Sequence, residues 1–229
     1  DFLDHVNFIR ADEGSFVSLW EKFVTEHLHA TWRYLPKWKE FQKNYDDDAL
    51  VADLSFIITG HDQRVLAICP LFLEKVQQHL QFSVAFGYQP APLMYQELPE
   101  KQRQKIEALC FQKIDDLAKE YGVGKALVMA DPLGGAVHYN FLQEYNFLNT
   151  ILSSMIIDLC LSEEVLWARL RKSFQGLINK ARKIYTIKIY DHKNADPQIH
   201  EQYREMHHRA AGRVTRSRRT FDLQYEMLK

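Results

Sequence analysis

The pattern of this chain predicts an α/β fold of the α+β kind: a mixed, mainly antiparallel sheet flanked by helices, then a shorter, incomplete second α/β segment. Three observations carry that expectation. Residues 50–59 and 64–75 read as a β-hairpin, the runs LSFIIT and VLAICPLFLE flanking the turn Gly60-His61-Asp62-Gln63. A long helical stripe after Pro99 leads into a strand of buried type, KALVMA, at 125–130. A strand–helix–strand pattern then begins afresh at Ser153.

The elements follow in order. Residues 5–11 alternate weakly and read as a strand. Ser15 opens a helix whose Phe16, Leu19, Trp20, Phe23, Val24 and Leu28 recur at core-facing spacing. Pro36 marks another helix start, with Trp38, Phe41 and Tyr45 behind it. Asp46-Asp47-Asp48 reads as a turn. Residues 80–86 extend the hairpin sheet, and 87–92 form a loop with two prolines. The long helix carries Ile106, Leu109, Cys110, Ile114 and Leu117 on one face, and Gly122 ends it as a left-handed cap. A loop at 131–135, a short helix at 137–145 and a strand near Phe147 follow. In the last part, a strand at 153–161 precedes a helix opened by Ser162 with Glu163 and Glu164. That helix keeps Leu166, Leu170, Phe174, Leu177 and Ile178 on one side and its basic residues on the other. YTIKIY at 185–190 alternates as a strand, and a helix at 197–211, a turn at 212–219 and a helix start at Thr220 complete the chain.

Composition narrows the function classes. The 229 residues are 46% hydrophobic and 26% charged, enough to bury a core without disulfides or a structural metal. Nine glycines, seven prolines and 13% aromatics exclude collagen and disorder. No apolar run reaches the roughly 18 to 20 residues of a membrane helix. Asp1-Phe2-Leu3-Asp4-His5 lacks the basic and apolar stretches of a secretory signal, so the cytoplasm is the expected location. Cys69, Cys110 and Cys160 are odd in number, widely spaced and set in apolar runs, which suits buried thiols better than a zinc site or a disulfide framework. No metal site is expected. His200, His207 and His208 share a predicted helix without an acidic partner in metal-binding order. Gly122-Val123-Gly124-Lys125 follows a helix instead of preceding one, the wrong order for a phosphate loop.

The charge balance is uneven. Residues 1–168 hold 14 basic and 24 acidic side chains, a balance of −10; residues 169–229 hold 15 and 6, a balance of +9. Arg209, Arg213, Arg216, Arg218 and Arg219 cluster about Gly212, Thr215 and Ser217. Arginine forks suit phosphate or carboxylate, so an anion site is expected at Arg213, Arg216 and Arg218. The plainer reading pairs these arginines with the acidic first part of the chain.

Residues 166–190, LWARLRKSFQGLINKARKIYTIKIY, preceded by Ile156-Ile157-Asp158-Leu159, resemble the FemABX family of peptidoglycan-bridge aminoacyltransferases and related GNAT-superfamily proteins. In that family a strand ending in Asp-Leu leads to a helix with an R-x-x-I-x-K-A pattern and then a strand; here the helix reads Gln175-Gly176-Leu177-Ile178-Asn179-Lys180-Ala181. The stretch 203–221 resembles the family's helix and turn before its second-domain sheet. The first 150 residues match in element order, including the Trp-rich segment 31–38 and an Asp-Pro after a strand.

The resemblance implies two fused GNAT-like domains, with 1–152 the first and 153–229 only the opening of the second. It also implies a bacterial acyltransferase of cell-wall biogenesis, with an amine acceptor carried on an anionic, phosphorylated precursor. The acyl donor would be aminoacyl-tRNA or acyl-CoA. The family's phosphate contacts, a Lys after the Trp segment and an Arg in the turn, fall nearest to Lys39 or Lys43 and to Arg216 or Arg218. No acetyl-CoA loop of the R/Q-x-x-G-x-G/A type is found, so this chain is expected to bind no donor, to be inactive alone, and to leave a sheet edge through which it could form a homo-oligomer. No catalytic base is assigned; Tyr203, His207 and His208 are candidates by position. The rival expectation is a non-catalytic protein whose basic C-terminal third contacts nucleic acid, with Phe174, Tyr185, Tyr190 and Tyr203 interleaved among the cations.

Overall fold

The central hairpin forms where the sequence places it, but each arm is two strands and it runs through two sheets. The structure, a computed structural model, describes residues 6–46, 48–131, 133, 141–150 and 155–229. The expected starts of the first strand at His5, of the short helix at 137–140 and of the strand at 153–154, with most of the 131–135 loop, lie outside the described residues. Within the first strand-rich segment, β1 (Asn7–Arg10), β2 (Leu50–Asp53), β3 (Phe56–Thr59), β4 (Val65–Cys69), β5 (Phe72–Val76), β6 (His79–Phe82), β7 (Gln89–Pro90), β8 (Leu93–Met94), β9 (Lys125–Ala126) and β10 (Val128–Met129) form three sheets. Their orders are β1-β3-β4-β8, β2-β5-β6-β9 and β10-β7.

Each arm of the hairpin changes sheet once. β3 pairs antiparallel with β4, Phe56 opposite Cys69, while β2 pairs with β5, Asp53 opposite Phe72. Leu54 N–H donates to the Leu71 carbonyl across the crossing point at 2.8 Å, and Leu71 N–H donates to Ser55 Oγ. Pro70, which has no N–H to give, stands at the crossing in the second arm. The strand pattern at 125–130 is likewise two short strands: β9 is parallel to β6 and β10 is parallel to β7. Between β6 and β7 the chain makes a tight excursion, Val84 bridging Gly87, with Ala85 and Phe86 both in the left-handed region.

The two faces of β3 and β4 meet different helices. Ile57, Val65 and Ile68 pack with Phe16, Trp20, Phe23 and Val24 of α1 (Phe16–Glu26). Phe56, Ile58, Ala67 and Cys69 pack with Ile106, Cys110, Phe111 and Ile114 of α3 (Glu100–Tyr121). The 3.6-residue stripes in the sequence are therefore core stripes, except that α1 stops at Glu26 and Leu28 is exposed. Gly122, at φ +67°, ends α3 as expected, its N–H donating to the Ala118 and Lys119 carbonyls.

The chain's contacts divide it into two compact units: residues 1–148 with 197–227, and residues 149–196 with 228–229. The sequence reading sets its boundary between 152 and 153, whereas here the stretch 197–227 groups with the N-terminal unit. That stretch holds α6 (Pro197–Ala211) and α7 (Arg218–Leu228), with α7 beginning two residues earlier than the pattern suggests.

In the other unit two expectations are corrected. No strand forms over 155–161 or 185–190. Alternation supplies an apolar face, but a strand also needs a neighbour for its N–H and C=O groups, and none pairs with either segment among the described residues. Met155 is 96% exposed and Ile187 79% exposed as a result. The single helix expected after Ser162 is two, α4 (Glu163–Arg169) and α5 (Lys172–Ile184), broken where Leu170 and Arg171 take extended dihedrals. Ser162 caps α4 by accepting from Val165 N–H, and at the break the Trp167 carbonyl accepts from both Leu170 N–H and Gln175 Nε2. Phe174 and Leu177, expected in a core, are exposed, and so is Cys160, while Cys69 and Cys110 are buried.

One buried acid makes the fold pH-sensitive. Glu107 on α3 accepts a hydrogen bond from Tyr145 Oη at 2.9 Å, and burial raises its carboxyl above the usual 4.5 against the smaller opposing pull of that bond. The folded state thus holds this proton more tightly than the unfolded state. The stability this confers is present below pH about 4.5 and is lost as pH rises through the folded value. Glu107→Gln keeps the acceptor for Tyr145 without the charge. Thermal melts from pH 4 to 8 should show a flatter profile for this variant and a neutral-pH Tm no lower than that of the parent.

Candidate binding face on the N-terminal unit

Pro36 at the first position starts α2 (Pro36–Lys43), and the 3₁₀ turn Trp32–Tyr34 precedes it. This short segment is fixed to the sheet from below. Trp20 Nε1 donates to the Tyr34 carbonyl at 2.8 Å, and Tyr34 Oη donates to the Ala91 carbonyl at 2.9 Å. Burial, with the Asp131 carboxylate adding to it, pushes the Tyr34 phenol far above its ordinary value, so it stays a donor.

Above this base the aromatic rings form a ledge. Trp32 meets Trp38 edge-on at 4.4 Å, and Trp38 stacks on Phe41 at 4.9 Å. Phe41 lies 5.6 Å from the guanidinium of Arg216, which sits 4.2 Å over Phe221. Phe221 is wholly buried, and the rings of His207 and His208 stand edge-on to it at 5.6 and 5.3 Å. The Trp-rich segment and the arginine turn, about 180 residues apart in sequence, are therefore joined by one run of ring contacts through Phe41 and Phe221. Lys37 Nζ also reaches the Glu226 carbonyl on α7 at 3.4 Å.

Four side-chain atoms on this face are buried without a hydrogen-bond partner: Trp38 Nε1, His208 Nδ1, Arg216 Nε and Ser217 Oγ. Buried polar atoms are ordinarily paired, so three along this run of ring contacts, with Ser217 Oγ next to Arg216, mark a place where polar partners are wanting. Arg216 uses Nη2 on Gln224 Oε1 at 2.8 Å. His207 Nε2 bonds Thr215 Oγ1, and His200 Nε2 bonds the Phe221 carbonyl.

The sequence-predicted residues divide between this face and the interior. Arg216 lies at its centre. Arg213 is exposed on the same turn. Arg218 is exposed and pairs with Glu201 at 3.8 Å and Asp222 at 4.0 Å, acids of α6 and α7 themselves. Arg219 pairs with Glu226. The acidic part of the chain is thus not what these two arginines meet.

Lys39 and Lys43 turn inward to Asp53, at 3.0 and 3.7 Å. The Lys39 ammonium is also caged by Phe16, Trp20 and Phe72, 4.6 to 5.4 Å from their ring centres. Burial lowers its pKa below 10.5, with the Asp53 carboxylate opposing. Lys37 and Arg33 are what the sequence reading passed over. The signal was one of helix phase: Lys37 precedes Trp38 on the exposed side of α2, whereas Lys39 falls on its buried side.

Two other sequence features take no part. A cavity of about 510 Å³ opens between His79, Gln81, Gly122 and Lys125. There the N–H groups of Gly122, Val123 and Gly124 already donate to backbone carbonyls, so the glycine loop offers no phosphate cradle. Among the described residues no group of three or more His, Cys, Asp or Glu is placed to hold a metal, and no helix is long and apolar enough to cross a membrane.

No protein-family profile and no curated protein matches the chain. Among solved structures, it is similar to an aminoglycoside 6'-N-acetyltransferase from Acinetobacter baumannii, at 13% identity over 67% of this chain and 97% of that one, with a TM-score of 0.42. It is similar to an aminoglycoside N-acetyltransferase in complex with CoA at 11% identity over 68% and 96%, TM-score 0.42. It is also similar to the glucosamine-6-phosphate N-acetyltransferase of Arabidopsis thaliana, at 14% identity over 67% and 99%, TM-score 0.40.

The Lys39–Asp53 pair gives a testable consequence. Asp53→Asn leaves an ammonium in an aromatic cage without its main counter-charge and should cost about 3 kcal/mol in denaturant unfolding at pH 7, while Lys39→Met should cost less, because Lys43 at 3.7 Å still faces Asp53. In Asp53→Asn the folded state binds this proton less tightly than the unfolded chain. Stability should therefore recover as pH rises toward 10.5.

Proposed function

We propose that this chain is the acceptor-recognition part of an N-acyltransferase, and that the ledge and arginine turn bind the anionic, phosphorylated portion of an amine acceptor. The observation that carries this reading is the set of unpartnered donors around Arg216. A phosphate carries oxygens enough to accept from Arg216 Nε and the adjacent Ser217 Oγ, and an arginine fork suits its geometry. The sequence resemblance at 156–190 supports acyl transfer as the chemistry: an amine attacks an activated carboxyl, which calls for positioning and for donors at the developing oxyanion.

The donor in this reading is acyl-CoA or aminoacyl-tRNA. His207, bonded to Thr215, and His208, with Nδ1 unpartnered, are the groups nearest the turn able to take a proton from the amine. Lys37 and Arg213 add positive charge beside Arg216. The acceptor's cell-envelope or sugar-nucleotide identity, and a bacterial cytoplasmic setting, belong to this proposal through the resemblance alone.

Calorimetric titration with a nucleoside-diphosphate sugar tests it. Arg216→Ala should weaken binding about 10- to 100-fold, as expected for loss of a charge-assisted contact worth about 1.5–3 kcal/mol. Arg218→Ala, whose guanidinium already has acidic partners, should change affinity less than threefold, since exposed pairs contribute about 0–1 kcal/mol. Equal effects of the two variants would refute a site centred on Arg216. Tight binding of single-stranded RNA with a steep loss on added salt, and none of the sugar nucleotide, would favour a nucleic-acid surface instead.

A further inference from the structure

We propose that Arg33 is a second anion-recognition residue on this face, receiving a carboxylate or phosphate oxyanion on its two Nη groups, with Asp131 as its positioning residue. Asp131 stands just past the end of β10 and is only 8% exposed. Its Oδ1 accepts from Leu133 N–H at 3.0 Å, and its Oδ2 accepts from the Thr31 hydroxyl. The same Oδ2 lies 3.5 Å from Arg33 Nε. An arginine paired for neutralisation alone presents its fork to the carboxylate. Here the nearest approach of the carboxylate is to Nε, too long and misaligned for a hydrogen bond, and neither Nη makes a hydrogen bond to a described residue.

The plane of the guanidinium is held as well as its root. Its Cζ lies 4.3 Å from the Trp32 ring centre, and Trp38 braces Trp32 edge-on. The side chain remains about a third exposed, so the two Nη groups are accessible to a ligand. A guanidinium with a buried acid beside Nε and an indole against it has less rotamer freedom left to lose on binding. Arg33 sits at the opposite end of the ledge from Arg216, so the inference does not require the arginine turn to bind anything.

The competing account, a purely structural ion pair, makes the opposite prediction about sign. If Asp131 merely neutralises Arg33, Asp131→Asn removes a negative charge beside the guanidinium and anions should bind there more tightly. If Asp131 positions Arg33, the same substitution should weaken anion binding although the site becomes more positive.

NMR titration of the full chain with inorganic phosphate, and separately with acetate, reads this at the Arg33 Nε–H and Trp32 indole signals. The expected result is saturable binding of at least one probe, the better one identifying the oxyanion. It should weaken at least about tenfold in Arg33→Gln, and nearly as much in Arg33→Lys, which keeps the charge without the fork. Asp131→Asn should weaken it about three- to tenfold, and Arg216→Ala should leave it unchanged. Tighter or unchanged binding in Asp131→Asn, unchanged binding in Arg33→Gln, or no saturable shift with either probe would overturn the proposal. If Asp131→Asn does not fold by circular dichroism, the two Arg33 variants decide the question.

Discussion

The pairing of β3 with β4 is the constraint on which the N-terminal unit depends. These two strands are buried on both faces, and their alternation assigns Ile57 and Ile68 to one helix and Phe56, Ile58, Ala67 and Cys69 to the other. A slip of one residue would exchange the two sets and set mismatched side chains against α1 and α3. With that register held, α1 lies where Trp20 can reach the Tyr34 carbonyl, and the Trp-rich segment is anchored over one end of the sheet. The ledge is therefore a consequence of core packing as well as of its own aromatic residues.

The same segment shows how one short helix divides its cations between interior and surface. Lys39 points to the core side of α2, where three rings and Asp53 hold it. Lys37, two residues earlier, is about 200° away around the helix and reaches α7. A buried ammonium with one good counter-ion is a poor candidate for binding an external anion, because any ligand would compete with Asp53 in a low-dielectric site. Arg33 and Arg216 rest on ring faces as Lys39 does, but each is only partly buried, and Arg216 keeps its Nε without a partner.

The unit around α4 and α5 obeys the opposite balance. Its helices form because their terms are local: Ser162 caps, Glu163 and Glu164 face the positive end of α4, and Arg182 lies over Trp167 while reaching Glu163. Its two alternating segments find no strand partner among the described residues, and Ile187, Ile189, Met155 and Leu159 stay exposed. Helical order can be closed within one segment, whereas strand order cannot.

What the sequence by itself determined follows from that distinction. The helix at 197–211, the left-handed stop at Gly122, the hairpin about residues 60–63 and the core stripes of α1 and α3 were legible, because periodicity and capping act over a few residues. The sequence also marked the arginine cluster at 209–219 through its charge. Only the tertiary structure decided that each hairpin arm changes sheets, that 197–227 joins the N-terminal unit, and that Arg216 faces Phe41 while Arg218 turns to Glu201. It alone brought Arg33 to Asp131, about a hundred residues away. The physical reason is common to all of these: they are set by which surfaces meet, and a linear pattern records the face a residue occupies but not the surface that face will find.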